Sequence, residues 1–135
     1  PKRFATWFFL YNQPLRQDVV VDGGEIVAHR WAQPAQLVAE HRAGELKLVP
    51  PTFVTLLELC GLADVQQASD AYRRRGMQFY LPRLAVQGER MCFMYQEDAG
   101  YESRDPEASG SRHRTYMDDA GCEFECDDGG LSPRP

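Results

Sequence analysis

The run from Phe4 to Asn12, Phe-Ala-Thr-Trp-Phe-Phe-Leu-Tyr-Asn, constrains the fold of this chain more than any other stretch. Its aromatic and β-branched residues follow one another without the polar alternation of a half-exposed strand. It therefore reads as a central strand covered on both faces. Such a strand needs neighbours along both edges, because every main-chain donor and acceptor in it must be satisfied. Val19–Val21 offers a short edge strand and Glu25–Trp31 a second full strand, with Asp22-Gly23-Gly24 as the turn between them. Few strands remain to flank residues 4–12, and the sequence opens on Pro1 without a Met. The expectation is a sheet whose first strands lie upstream. The basic start followed by apolar residues mimics a signal peptide, but it lacks a small-residue cleavage site and reads as the strand itself.

After Trp31 the texture becomes helical. Pro34 opens a helix at the position where its missing N–H costs nothing, Ala35, Leu37, Val38 and His41 form its apolar face, and Gly44 ends it. Pro50-Pro51 starts a second helix, with Phe53, Leu56, Leu57 and Cys60 at helical spacing before Gly61. Asp64 caps a third that runs to about Arg75 and stops at Gly76. Two β-runs then flank Gln87-Gly88-Glu89 as a hairpin, and a second hairpin forms around Asp118-Asp119-Ala120-Gly121. The polar stretch 97–111 between them reads as a mobile loop, and 127–135 as a disordered tail. The order implies a mixed α and β domain with the first strands in a sheet covered by helices.

The formal net charge of −5 gives no general reason to expect nucleic acid, whose binders carry a basic face. No apolar run approaches the length of about 20 residues that a membrane helix needs. Arg73-Arg74-Arg75 closes a helix and complements its dipole. The four cysteines, Cys60, Cys92, Cys122 and Cys126, form no CxxC pair, and His29, His41 and His113 do not sit at zinc spacing from them. The expectation is reduced thiols in a cytoplasmic protein, with neither zinc nor disulfides.

Motifs for self-contained chemistry are missing. No Gly-x4-Gly-Lys-Ser/Thr string is present, and Gly23-Gly24 is a turn before it is a phosphate cradle. No serine stands in a Gly-x-Ser-x-Gly elbow. His113, between two arginines, is either an anion contact or part of a solvated strand edge. Glu25 and the pairs Asp118-Asp119 and Asp127-Asp128 carry oxygen ligands suited to Mg²⁺, or are solvated charges. Trp31 and the methionines read as core.

Pro-Lys-Arg-Phe-Ala-Thr-Trp-Phe-Phe-Leu resembles the aromatic strand of Nudix hydrolases in their coenzyme A diphosphatase-like branch. The segment from Gly23 to Leu59 resembles the next part of the same domain in that family: a Glu opening a strand that ends in Arg-Trp, a Pro-Ala helix, and a Pro-Pro segment opening the last helix. Leu81–Tyr101 and Gly110–Met117 resemble a C-terminal extension of its bacterial members, so the likeness covers most of Pro1–Met117. It implies an α/β fold, the Nudix α/β/α sandwich, incomplete in this chain and continued by β-hairpins. The division is 1–62 for the C-terminal half of that domain, 63–126 for the extension and 127–135 for the tail. The family's chemistry comes from a box, Gly-x5-Glu-x7-Arg-Glu-(aliphatic)-x-Glu-Glu-x-Gly, whose glutamates hold Mg²⁺ or Mn²⁺. No such string occurs here.

The resemblance therefore implies the C-terminal half of a metal-dependent hydrolase cleaving the diphosphate bond of a nucleoside diphosphate derivative, with (acyl-)coenzyme A as a candidate. Its metal would be held outside this chain, which alone is expected to be inactive. Arg3, Phe4 and Thr6 would face the cleft, Pro50, Pro51 and Phe53 would shape the pocket rim, and Glu25 is the candidate auxiliary ligand or base. Two rivals stand beside it. One is a non-catalytic binding or interaction domain derived from the same fold. The other is a homodimer that completes its sheet across a symmetric interface. The partners implied are a small nucleotide-derived molecule and either a second copy or the N-terminal half of the same protein, with neither nucleic acid nor membrane.

Overall fold

The computed structural model describes residues 5–12 and 18–127, and the expected tail 127–135 lies outside them except for Asp127. Among the described residues three helices precede four strands: α1 (Pro34–Arg42), α2 (Pro50–Cys60), α3 (Val65–Arg75), β1 (Arg83–Gln87), β2 (Arg90–Met94), β3 (His113–Asp118) and β4 (Gly121–Cys126). The strands form an antiparallel meander in the order β1-β2-β3-β4. The architecture is a mixed α and β one.

Local chemistry sets these elements. Proline stands in the first turn of both α1 and α2, where its fixed φ suits helix entry and no N–H is lost from the ladder. Asp64 caps α3, its side chain accepting from the Gln67 amide at 2.8 Å, and Gly76 closes it at φ 74°. The β1–β2 turn places Gly88 at φ 61°, the first central position of a two-residue hairpin, where glycine carries no steric penalty. Asp118 holds the second turn by accepting from the Ala120 amide at 2.8 Å.

The sheet has two differently covered faces. On one, Cys92, Met94 and Tyr101 form a buried cluster with Ala85 and Tyr116. There the 95–112 connection folds back over the strands instead of running free. Asp98, Gly100 and Tyr101 are buried, which corrects the expectation of a mobile polar loop. Gly100 lies so close to the chain at Asp105 that a Cβ would come within 2.1 Å of the Asp105 carbonyl oxygen. On the other face, Cys122, Met117 and Phe124 pack beneath Val38 of α1 and Phe53, Leu56 and Leu57 of α2.

His41 is the joint between the helices and the sheet. The ring is 3% exposed and lies 4.9 Å from that of Phe53. Its Nε2 accepts from the Cys122 amide at 2.8 Å, so in this arrangement the proton resides on Nδ1, which donates to the Leu46 carbonyl at 2.9 Å. The Leu48 amide approaches the same Nδ1 at 3.2 Å. One imidazole thereby ties together α1, the 46–48 connector and β4.

Residues 5–12 and 18–31 depart from expectation, for they contain no strand. Trp7, Phe9, Val27 and Trp31 are 65%, 85%, 75% and 61% exposed, so the central strand and the core role of Trp31 are not seen. The reason is physical. An apolar β-prone run becomes a strand only against a partner that satisfies its main chain, and the strands of this sheet all come from residue 83 onward. His113 also differs from expectation: it lies on β3, an inner strand, with its side chain only 15% exposed.

The joint is testable at Gly121, whose φ is 129° and where a Cβ would stand 2.8 Å from His41 Nε2. Gly121→Ala is expected to lower stability by about 1–3 kcal/mol. Urea unfolding checks this, and an unchanged midpoint would contradict the assigned contact.

Candidate functional site

The candidate residues read from sequence do not converge. Arg3 and Phe4 lie outside the described residues. Thr6, Glu25 and Pro51 are exposed, whereas Pro50 and Phe53 are buried, Phe53 at 1% exposure beside His41. Phe53 thus serves the core beneath α2.

The Asp22-Gly23-Gly24 segment is a self-contained turn. Asp22 Oδ1 accepts from the Gly24 amide at 2.9 Å and from the Ile26 amide at 3.2 Å, while the Gly23 amide donates to the Ile26 carbonyl. A carboxylate already sits where a phosphate cradle would offer its amides, so the turn reading stands. Glu25 follows this turn without a strand behind it.

Sequence reasoning missed a cluster around Glu58. This carboxylate sits on the buried face of α2, one turn beyond Val54, and its side chain is 8% exposed. Tyr72 and Arg75, three residues apart on α3, both reach it. Tyr72 donates to Oε2 at 2.9 Å, Arg75 Nη1 donates to Oε1 at 2.9 Å, and Tyr80 donates to Oε1 at 2.6 Å. Burial, reinforced by the Glu58 charge, pushes the Tyr72 phenol well above its ordinary range. The Tyr80 phenol is raised by burial and by its bond to Glu58. Both are therefore neutral donors at physiological pH. With three donors on its two oxygens, this carboxyl group locks α3 onto α2 and is not free to serve as a general base. The signal in the sequence was a single acidic residue at helical spacing from apolar ones.

Tyr80 continues into an aromatic group. Its ring meets those of Tyr95 and His113 edge-on at 5.1 and 5.8 Å, and His113 also meets Phe124 at 5.7 Å. His113 Nδ1 lies 2.6 Å from Glu97 Oε2. The Tyr95 hydroxyl is 3.0 Å from Thr115 Oγ1, and burial pushes this phenol up to about 12.

On the opposite face lies the most deeply buried ion pair of the molecule's described residues. Arg114 is fully buried, and Asp98 is 5% exposed. Arg114 Nε donates to Asp98 Oδ2 at 2.7 Å and Nη2 to Oδ1 at 2.6 Å, a bidentate pair. Nη1 donates to the Pro106 carbonyl at 2.7 Å and to the Tyr116 hydroxyl at 3.2 Å. Asp98 also accepts from the amides of Gly100 and His113 at 2.8 Å each. Burial opposes the charge on Asp98. The Arg114 bonds and the two amides together outweigh it and hold the carboxyl below its usual range. Every polar atom here has a partner within the chain, so the pair is an internal staple of the 95–112 connection.

Burial raises the thiols of Cys92 and Cys122, which disfavours the thiolate they would need as nucleophiles. Among the described residues, no three His, Cys, Asp or Glu side chains come together in a way that could hold a metal ion. The residues present thus do not fit the Mg²⁺ or Mn²⁺ site that the resemblance implies. No described helix is long and apolar enough to cross a membrane.

No protein-family model matches the chain. No solved structure matches it either. Over 122 residues, 87% of this chain, it is 26% identical to the acyl-coenzyme A diphosphatase NUDT19 of Gallus gallus. The chain spans 32% of the length of that relative.

The Asp98 staple sets a pH dependence. A carboxyl whose folded pKa lies below its unfolded value of about 3.9 contributes stability above that value and loses it as pH falls through the folded one. Wild-type stability is expected to fall below about pH 4 through this group. Asp98→Asn leaves Arg114 buried without its counter-charge and is expected to cost about 3–5 kcal/mol at neutral pH, with a flatter acid limb. Urea unfolding from pH 7 to pH 3 checks both, and an Asn variant as stable as wild type at pH 7 would contradict the assignment.

Proposed function

We propose that this chain is the substrate-facing C-terminal part of a Nudix-type diphosphatase acting on a nucleoside diphosphate derivative of the (acyl-)coenzyme A class. One observation carries the reading: the similarity to an acyl-coenzyme A diphosphatase extends along 87% of the chain. The order of elements supports it, with the Asp22–Gly24 turn, Arg30-Trp31, the proline-led α1 and the Pro50-Pro51 entry into α2. In this reading the complete domain is an α/β/α sandwich in which residues 5–12 and 25–31 become strands. Their exposed apolar side chains are what such a sheet would cover.

The reaction class draws on Mg²⁺ or Mn²⁺ to polarise a diphosphate and supply hydroxide for attack on phosphorus. In this reading the glutamates that hold the metal lie outside this chain, whose described residues bring no three metal-ligating side chains together. What this chain contributes is binding and orientation. Arg3, Phe4 and Thr6 are assigned to the cleft wall and Pro51 to its rim. Pro50 and Phe53 fix the start of α2 from within the core. Glu25, exposed beside its turn, is assigned an auxiliary role. The setting proposed is cytoplasmic, in keeping with the free thiols of Cys60, Cys92 and Cys122.

A second reading, a non-catalytic interaction module, draws on the same exposed side chains of Trp7, Phe9, Val27 and Trp31. Diphosphatase assays with Mn²⁺ and an acyl-coenzyme A separate the two. In a polypeptide that also supplies the metal-binding glutamates, turnover is expected, and Glu25→Gln is expected to reduce it by about tenfold or more. Absence of turnover there favours the module, and wild-type turnover in Glu25→Gln removes that residue from the site. The 135-residue chain alone is expected to show no turnover, and robust activity from it would overturn the proposed division of labour.

A further inference from the structure

The edge of the sheet at β1 is open among the described residues. β1 pairs only with β2, and among the described residues no other segment makes main-chain hydrogen bonds to it. Gln87 and Arg90 face each other across the two-residue turn Gly88-Glu89. In such a hairpin the closing pair exchanges its main-chain bonds, and the antiparallel ladder alternates from there. Ala85–Cys92 and Arg83–Met94 are therefore bonded pairs as well. The N–H and C=O groups of Leu84 and Val86 then point away from β2 into the open.

The side chains of those two residues are uncovered too. Leu84 is 46% and Val86 68% exposed, with Met91, opposite Val86, at 37%. They lie on the same face of the sheet as Phe124 and Cys122, but beyond the part that α1 and α2 cover. An apolar edge with free main-chain groups is a template for strand addition.

We propose that β1 pairs antiparallel with β1 of a second copy about a two-fold axis at Ala85, joining the two sheets into one. Three features fit this occupant. The hydrogen-bond phase is right: Leu84 falls opposite Val86 of the partner subunit, and both residues of that pair carry outward N–H and C=O groups. The apolar side chains match, since the same pairing sets leucine against valine twice. The charges are complementary as well. Arg83, held by Glu102 at 2.8 Å and lying 4.3 Å over the Tyr101 ring, falls opposite Gln87 of the partner subunit. Gln87 Nε2 donates to the exposed carboxylate of Glu107. Each copy thus sets a guanidinium, shared with its own Glu102, at the end of the strand where the exposed Glu107 of the partner subunit lies. An arrangement that repeats itself under a two-fold is the mark of an isologous interface.

The experiment is amide hydrogen exchange by NMR on the whole chain across a dilution series, beside sedimentation velocity. The expected result is a dimer in which the Leu84 and Val86 amides exchange at least about tenfold more slowly than in the dilute monomer. Val86→Lys, at an exposed position, is expected to weaken association by about tenfold or more with unchanged circular dichroism. Glu107→Lys, on the exposed connection, is expected to weaken it as well, as is added salt. If Val86→Lys fails to fold, the wild-type dilution series and Glu107→Lys decide the matter. A chain that stays monomeric up to about 1 mM overturns the proposal. A dimer in which the Leu84 and Val86 amides still exchange freely overturns it too, by placing the contact on another surface. Protection of those amides only when a different polypeptide is added would overturn it as well, by assigning the edge to that partner.

Discussion

The hydrogen bond from the Cys122 amide to His41 Nε2 fixes how the helices sit on the sheet, at the centre of the apolar cluster that joins them. The two residues are 81 positions apart in sequence, whereas the meander closes on itself through neighbouring strands and α1 packs on its immediate successor α2. Local contacts build each half cheaply in loop entropy, but the union of the halves requires closing most of the chain. The imidazole makes that closure specific. It accepts on one nitrogen and donates on the other, so the ring has one productive orientation, and the apolar cluster of Val38, Phe53 and Cys122 forms around it. Gly121 belongs to the same requirement, since only a residue without a Cβ lets the strand approach the ring so closely.

The two buried carboxylates extend this logic to parts with little apolar surface to hold them. α3 carries Gln66, Gln67, Ser69, Asp70 and three arginines, and only Ala68 and Ala71 of its residues are buried. Hydrophobic burial alone gives such a helix little purchase, and the Glu58 cluster supplies a directional one. Asp98 does the equivalent for the 95–112 connection, gathering two amides and a guanidinium onto one side chain. Buried charge of this kind is costly in desolvation and contributes specificity of arrangement more than net stability.

What could be read from the sequence was what local chemistry controls. Pro34, Pro50, Asp64 and Gly76 mark helix ends, and Gly88 and Asp118 mark turns, because each acts on main-chain groups within a few residues of itself. What escaped notice depended on distant partners. Arg114 looks like one member of a charged triplet until the strand pairing delivers it to Asp98, and Glu58 looks like surface until Tyr80 arrives from 22 residues downstream. The apolar run 5–12 erred in the other direction. Its composition suits a strand, but propensity is a statement about surroundings, and the described sheet offers it none. The candidate site residues share that fate, since most were placed by their position in that unbuilt sheet.

Both tryptophans of the chain, Trp7 and Trp31, belong to this exposed part, whereas the packed body holds tyrosine and phenylalanine rings such as Tyr95, Tyr101 and Phe53 but no indole. The chromophores are thereby divided by region. Indole emission reports on the water around Trp7 and Trp31 and is nearly blind to the integrity of the sheet. Anything that covers the exposed part would shift that emission to the blue, while melting of the core would leave it almost unchanged.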